Sequence, residues 1–200
     1  MVQAEIIDRT VLVALGGNAI SPKTSAGTIE DQFRHSRASL KSIMHFVKAG
    51  YKIGITHGNG PQVGDELLRN ELAANKVPEL PLGVLVANTQ GAIGYMIQQS
   101  LQNALHYERI EREVVTFISQ VRVESDDPSL SNPSKFIGRR YSSDQAEKLK
   151  ERYAWKMKEQ EPEEWRRLVP SPTPKYLFNG YSIKKLIEFG TIVIASGGGG

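Results

Sequence analysis

The 200-residue chain contains no cysteine, which excludes disulfides and thiolate chemistry and fits a reducing interior. It has no run near the ~18 continuous apolar residues of a membrane span. Residues 1–10 lack the apolar core of a secretory signal, so a cytoplasmic protein without membrane partners is expected. The four histidines, His35, His45, His57 and His106, are scattered without metal-ligand spacing, and no metal site is assigned. There is little net charge: the formal +3 arises entirely in residues 135–167, where ten Lys or Arg face seven Asp or Glu. Signs so mixed exclude a nucleic-acid stripe and leave a small-anion patch or a solvated helix face. No internal repeat or low-complexity tract is present. With 40% hydrophobic and 24% charged residues, the composition is that of an ordinary globule large enough to bury a core, as one sizeable domain or two small ones.

Against these absences stands a clustering of glycine. Val11-Leu-Val-Ala-Leu-Gly-Gly-Asn18 runs an apolar strand straight into a glycine pair. Ile53-Gly-Ile-Thr-His-Gly-Asn-Gly-Pro-Gln-Val-Gly64 and Ile192-Val-Ile-Ala-Ser-Gly-Gly-Gly-Gly200 repeat the arrangement, and Gln90-Gly-Ala-Ile-Gly94 adds two more glycines. Most of the 18 glycines fall in these four places. Flexible linkers would scatter them; strand-to-glycine junctions point instead to an α/β protein that handles phosphate.

The periodicity orders the elements. Residues 11–15 read as a parallel strand covered on both faces. Thr28 with Asp31 starts a helix carrying Phe33, Leu40, Ile43, Met44 and Val47 at helical spacing, and Gly50 stops it. Tyr51 to Thr56 returns as a strand, completing a right-handed βαβ unit. Pro61 suits the first turn of a helix running to about Asn75, and a second helix covers roughly Leu85–His106. Val114 to Val123 reads as one long strand. From Glu124 to Pro174 prolines, paired charges and both tryptophans mark an insertion, a hairpin plus the helix Ser143–Tyr153. Ser182–Phe189 is a helix stopped by Gly190, and Thr191–Ala195 a buried strand.

Gly16 and Gly17 let backbone N–H groups converge on a phosphate, with Asn18 as a further donor; a tight turn is the alternative. The pattern is neither the P-loop, since no Gly-Lys-Ser/Thr follows, nor the dinucleotide fingerprint. Gly58, Asn59 and Gly60 repeat the logic before a helix N-terminus, at the sheet edge where open α/β folds bind ligands. His57 is read as a packed or hydrogen-bonding residue rather than a base, because phosphoryl transfer needs charge compensation more than proton abstraction. Lys135, between Pro133 and Gly138, could reach over a transferring phosphoryl group; by pattern alone it is a solvent-exposed turn lysine. Arg166 and Arg167, in the extended stretch Trp165–Pro174, are available for anions or belong to a hinge strand.

Taken together, Ala14-Leu-Gly-Gly-Asn-Ala19, Thr56-His-Gly-Asn-Gly-Pro-Gln-Val-Gly64, Gln90-Gly-Ala-Ile-Gly-Tyr95, Asn132-Pro-Ser-Lys135, Trp165-Arg-Arg-Leu-Val-Pro-Ser-Pro172 and Ile194-Ala-Ser-Gly-Gly-Gly-Gly200 occur in the order seen in carbamate kinases. The resemblance runs from about residue 11 to residue 200. It implies the amino-acid-kinase fold, an αβα three-layer sandwich with a mainly parallel central sheet and a small protruding lid subdomain. The core would comprise 1–123 and 175–200, left incomplete at Gly200, and the lid 124–174. It also implies a cytoplasmic homodimer of arginine metabolism that transfers phosphate reversibly between ATP and carbamate, giving ADP and carbamoyl phosphate, with Mg²⁺. By matching position, Gly16, Gly17 and Asn18 would hold the phosphoryl group, and Gly58, Asn59 and Gly60 would line the carbamate side. Lys135 would be the lid lysine, and Gly197, Gly198, Gly199 and Gly200 would approach the same centre.

Three places depart from the family pattern. Phe136 replaces a proline after the lid lysine, with Arg139-Arg140-Tyr141 following; Pro162-Glu163-Glu164 replaces Gly-Arg-Gly; and Asn88-Thr89 stands where Met-Ser is usual. These leave open a kinase of another small carboxylate or phosphonate. In the family the adenine pocket and further lysines follow the last glycine loop, so the sequence is expected to be a window on a longer chain. A polypeptide truly ending at Gly200 would be a non-catalytic anion-binding half-domain.

Overall fold

A computed structural model describes residues 2–3, 5–22 and 27–199, with the side chains of Val2, Gln3, Asn18 and Gly199 outside the description. The chain separates into two units, one of residues 1–59, 86–120 and 177–200, the other of 60–85 and 121–176.

The first unit is built on β1 (Thr10–Leu15) and α1 (Ile29–Lys48), returning as β2 (Lys52–His57). Thr28 caps α1 by accepting from the Asp31 N–H at 3.2 Å, and Glu30 and Asp31 lie in the first turn, where the helix dipole favours them. Leu40, Ile43 and Val47 recur on its buried face. After Ala49, Gly50 takes φ +76, and a Cβ there would sit 2.3 Å from the Glu5 carbonyl oxygen, so only glycine ends the helix this way.

The helix α2 (Gly60–Ala73) belongs to the second unit, and α3 (Leu82–Tyr107) follows, starting three residues before the predicted position. Ile93, Met96, Ile97, Leu101 and Leu105 of α3 are buried in the same cluster as Leu15, Ile53, Ile55, Val114, Ile192 and Ile194. Gly94 brings the helix down onto the sheet, since a Cβ there would lie 2.2 Å from Thr116 Cγ2.

The predicted strand Val114–Val123 is broken. β3 (Val114–Thr116) stops early, and Val121–Arg122 is a separate short strand. The ladder ends because the Ser119 backbone is claimed elsewhere: its N–H donates to Gln90 Oε1 at 2.8 Å and its carbonyl accepts from Gln90 Nε2 at 3.2 Å. Within the final elements, α5 (Gly180–Phe189) and β7 (Ile192–Ile194), Gly190 at φ +102 turns helix into strand.

The four strands of the first unit's main sheet run in the order β1-β2-β7-β3, all parallel. The fold is therefore α/β with a mostly parallel sheet flanked by helices. One expectation is corrected: β1 is covered on one face only among the described residues. Val11, Val13 and Leu15 turn inward, while Leu12 is 73% exposed. The cause is placement, because β1 is an edge strand and α5 lies over its neighbours β7 and β2.

The second unit holds β4 (Lys135–Tyr141), α4 (Ser143–Tyr153), β5 (Lys156–Glu161) and β6 (Glu164–Val169). The strands form an antiparallel sheet in the order β4-β6-β5, one strand more than the hairpin expected. The helix has the predicted bounds, fixed by a capping box between Ser142 and Gln145. α2 packs on β4 where Gly64 faces Gly138.

The residues that depart from the family pattern are interlocked here. Arg140 pairs with both Glu161, at 3.1 Å, and Glu164 across the β5–β6 turn, in which Glu163 takes φ +62. Arg139 lies 3.8 Å from Glu71 of α2, which also accepts from the Tyr141 hydroxyl. Arg166 donates to the Gly138 carbonyl at 3.0 Å and lies over the Phe136 ring; Arg167 lies over Trp155. Both arginines, read from sequence as available for anions or as part of a hinge strand, pack inside this unit, and β6 is its central strand. Among the described residues no helix is long and apolar enough to cross a membrane.

Candidate active site

Because β1, β2 and β7 are adjacent and parallel, their C-terminal ends open at one edge of the sheet. Leu15 stands opposite His57, and Ile194 opposite Ile55. Ligands of open α/β sheets bind at such an edge. Three of the glycine segments picked from the sequence emerge there: 16–18, 58–59 and 197–199.

The loops are packed against one another through the absence of side chains. The Gly58 N–H donates to the Leu15 carbonyl at 2.8 Å, and a Cβ on Gly58 would lie 2.8 Å from the Gly17 nitrogen and cover it. A Cβ on Gly197 would lie 2.2 Å from His57 Nε2, and one on Gly198, at φ +64, 2.4 Å from Asn59 Nδ2. Gly16 is different. It has an ordinary extended backbone (φ −61, ψ 148), and a Cβ there would meet nothing within 4 Å among the described residues. No described residue demands glycine at this position, and the described residues leave the space beside it open. Gly60, the first residue of α2, is likewise uncrowded.

His57 is buried, at 5% exposure. Its Nδ1 lies 3.1 Å from the Gly58 carbonyl, and since a carbonyl only accepts, Nδ1 carries the proton and Nε2 faces Gly197 unprotonated. Burial holds the imidazole pKa below its ordinary value, opposed by the Gly58 bond. The ring is neutral at pH 7 and acts as a packed wedge between two loops. The unfolded chain takes up a proton at this group before the folded one does. Stability from His57 is therefore complete above about pH 6.5 and declines as pH falls through the lowered folded value. Denaturant titrations of the wild type between pH 7.5 and 5 should show this decline, and His57→Gln should flatten that part of the curve; an unchanged slope in the variant would contradict the assignment.

Asn59 is buried, and its Nδ2 donates to Thr89 Oγ1 at 2.9 Å; the Thr89 hydroxyl in turn donates to the Val86 carbonyl at 2.7 Å. The sequence reading does not select Thr89, which the structure places against Asn59. Asn88-Thr89 departs from the Met-Ser that the family resemblance leads one to expect, yet Thr89 keeps a hydroxyl where that pattern has serine.

The backbone of Asn18 lies in the helical turn Gly17–Ile20, but its side chain and Gly200 fall outside the described residues. Gly16, Gly17, Gly58, Asn59, Gly197 and Gly198 all belong to the first unit, with Gly199 completing the 3₁₀ turn Gly197–Gly199. Gly60 and Lys135 belong to the second. Lys135 opens β4 opposite Val169, with an exposed side chain. Among the described residues no three His, Asp or Glu side chains gather as a metal site.

No protein-family model matches the chain. Curated relatives include the carbamate kinase of Pyrococcus horikoshii, 45% identical over 192 residues that span 95% of this chain and 61% of that protein. The carbamate kinase of Pyrococcus furiosus is 44% identical over 194 residues, 96% of this chain and 62% of that one. Among solved structures, carbamate kinase from Giardia lamblia bound to AMP-PNP superposes with a TM-score of 0.88 at 37% identity, covering 96% of this chain and 61% of that chain. The chain thus spans about three fifths of the length of the relatives it matches.

Proposed function

Over nearly all of its length the chain is homologous to the carbamate kinases of the amino-acid-kinase superfamily, and from that premise we propose that the full-length protein transfers phosphate reversibly between ATP and carbamate, giving ADP and carbamoyl phosphate. The observation that carries this reading is the parallel-strand edge at which three glycine segments meet, with open space beside Gly16. In this reading Gly16, Gly17 and Asn18 hold the transferring phosphoryl group, and Gly58, Asn59 and Gly60 line the carbamate side. Gly197, Gly198 and Gly199 approach the same centre, and Lys135, from the lid segment 124–174, neutralises charge developing on the phosphoryl oxygens.

The chemistry is positioning plus electrostatic stabilisation. Carbamate is already an anion, so its oxygen attacks the γ-phosphoryl in line without a side-chain base, in keeping with a neutral, buried His57. Magnesium would enter with the nucleotide substrate, carried on its phosphates and retained waters, and would offset phosphate charge. The AMP-PNP held by the Giardia relative supports a nucleotide substrate. The reading extends to a cytoplasmic homodimer in arginine metabolism.

A second acceptor is favoured by one observation. Where the family pattern is lost, Arg139 pairs with Glu71, and Arg140 with Glu161 and Glu164, all within the second unit. That reading is a kinase of another small carboxylate or phosphonate. A coupled assay of ATP formation from ADP with carbamoyl phosphate, acetyl phosphate, further acyl phosphates and phosphorylated phosphonates tests both. Carbamoyl phosphate should be the preferred donor; preference for another donor selects the second reading, and no turnover with any of them overturns both.

A further inference from the structure

Beyond the loops themselves, the residue before the third one is held by a latch. Ala195 still pairs with the sheet, its N–H donating to the Ile55 carbonyl at 2.9 Å. Ser196 then turns into the left-handed region, at φ +56, which a non-glycine residue adopts only when its surroundings impose it. Two bonds impose it. The Ser196 N–H donates to Ser119 Oγ at 2.7 Å, and its carbonyl accepts from Thr56 Oγ1 at 3.0 Å. Thr56 belongs to β2 and Ser119 lies just beyond β3, the two strands that flank β7. The turn is therefore gripped from both sides.

Ser119 is itself immobile. It is 3% exposed, and both its backbone groups are taken by Gln90, which is 2% exposed on α3. The interrupted strand after Thr116 thus has a use: it frees Ser119 from the ladder so that its hydroxyl reaches Ser196. Immediately after Ser196 the chain enters Gly197–Gly199, a segment with no side chains of its own to hold it. Its aim is set by the peptide that enters it.

We propose that Ser119, fixed by Gln90, is a positioning residue for phosphoryl transfer, orienting the Gly197–Gly199 backbone through Ser196. The proposal rests on the phosphotransferase reading. A preorganised donor set contributes in the transition state more than in substrate binding. Ser119→Ala in the full-length protein should therefore lower kcat about 10-fold or more while KM values stay within about threefold. Ser119→Thr, which keeps the hydroxyl, should restore most of the rate. Amide hydrogen exchange separates a failure of the latch from a failure of the reaction assignment. Exchange at residues 196–199 should quicken in Ser119→Ala, while amides of β1 and α1 keep wild-type protection. Faster exchange in a protein whose wild type turns over no acyl phosphate would support the latch and defeat the phosphotransferase reading. Unchanged exchange, or a kcat loss no larger than the loss of folded protein, would overturn the latch. Failure of Ser119→Thr to recover activity in a folded protein would also overturn it.

Discussion

Gly197→Ala is expected to cost about 3 kcal/mol of stability, at the upper end of ordinary overpacking penalties. The added methyl would lie 2.2 Å from His57 Nε2 and 2.3 Å from its Cε1. The ring is buried and its Nδ1 is tied to Gly58, so it cannot swing aside without breaking that bond and the Gly58 approach to Gly17. For a domain of 150–250 residues, such a loss lowers Tm by roughly 6–12 °C. Gly16→Ala is the internal comparison. Its backbone suits alanine and its Cβ would meet nothing within 4 Å, so stability should stay within about 0.5 kcal/mol while turnover falls, because the methyl fills space assigned to the phosphoryl group. Thermal denaturation of both variants checks the pair. Equal Tm values would show that the loop can yield at Gly197, contrary to the packing described.

Lys135→Met should lower kcat by about 10²–10³-fold, the loss typical of removing one donor from a developing oxyanion. Stability should hardly change. Lys135 is exposed at the start of β4, and its place in the sheet is set by backbone pairing with Val169. Steady-state kinetics with carbamoyl phosphate and ADP, together with a Tm, decide the matter. A kcat within threefold of wild type would remove Lys135 from the transfer step, and a matching fall in Tm would make its role structural.

How far the sequence discloses this molecule depends on whether the deciding contacts are local. The α1 start at Thr28, its stop at Gly50 and the bounds of α4 were legible because caps and left-handed turns are written in neighbouring residues. The glycine segments were legible for the same reason. The break in the strand after Thr116 was not, because its cause is Gln90, 29 residues away, which takes the Ser119 backbone. Nor was the open face of β1, since an apolar run reads the same whether one side is covered or two; strand order decides. The packing of Arg166 and Arg167 was not legible either. Their partners Gly138, Phe136 and Trp155 come together only when the second unit's sheet forms. Thr89 was nearly visible, yet its bond to Asn59 spans 30 residues and only the hydroxyl shared with the family pattern hinted at it.

The glycines of the site edge differ in what would exclude another residue, and that difference bears on how such a protein decays. At Gly58, Gly197 and Gly198 the neighbouring atoms stand where a side chain would begin, so folding itself selects against replacement. At Gly16 no described residue stands in the way, and in the proposed reaction the position is kept clear for the phosphoryl group. In lineages where the reaction is no longer under selection, Gly16 should drift early, while Gly197 should persist for as long as the chain still folds. Invariance at the two positions then records two separate histories, one of catalysis and one of architecture.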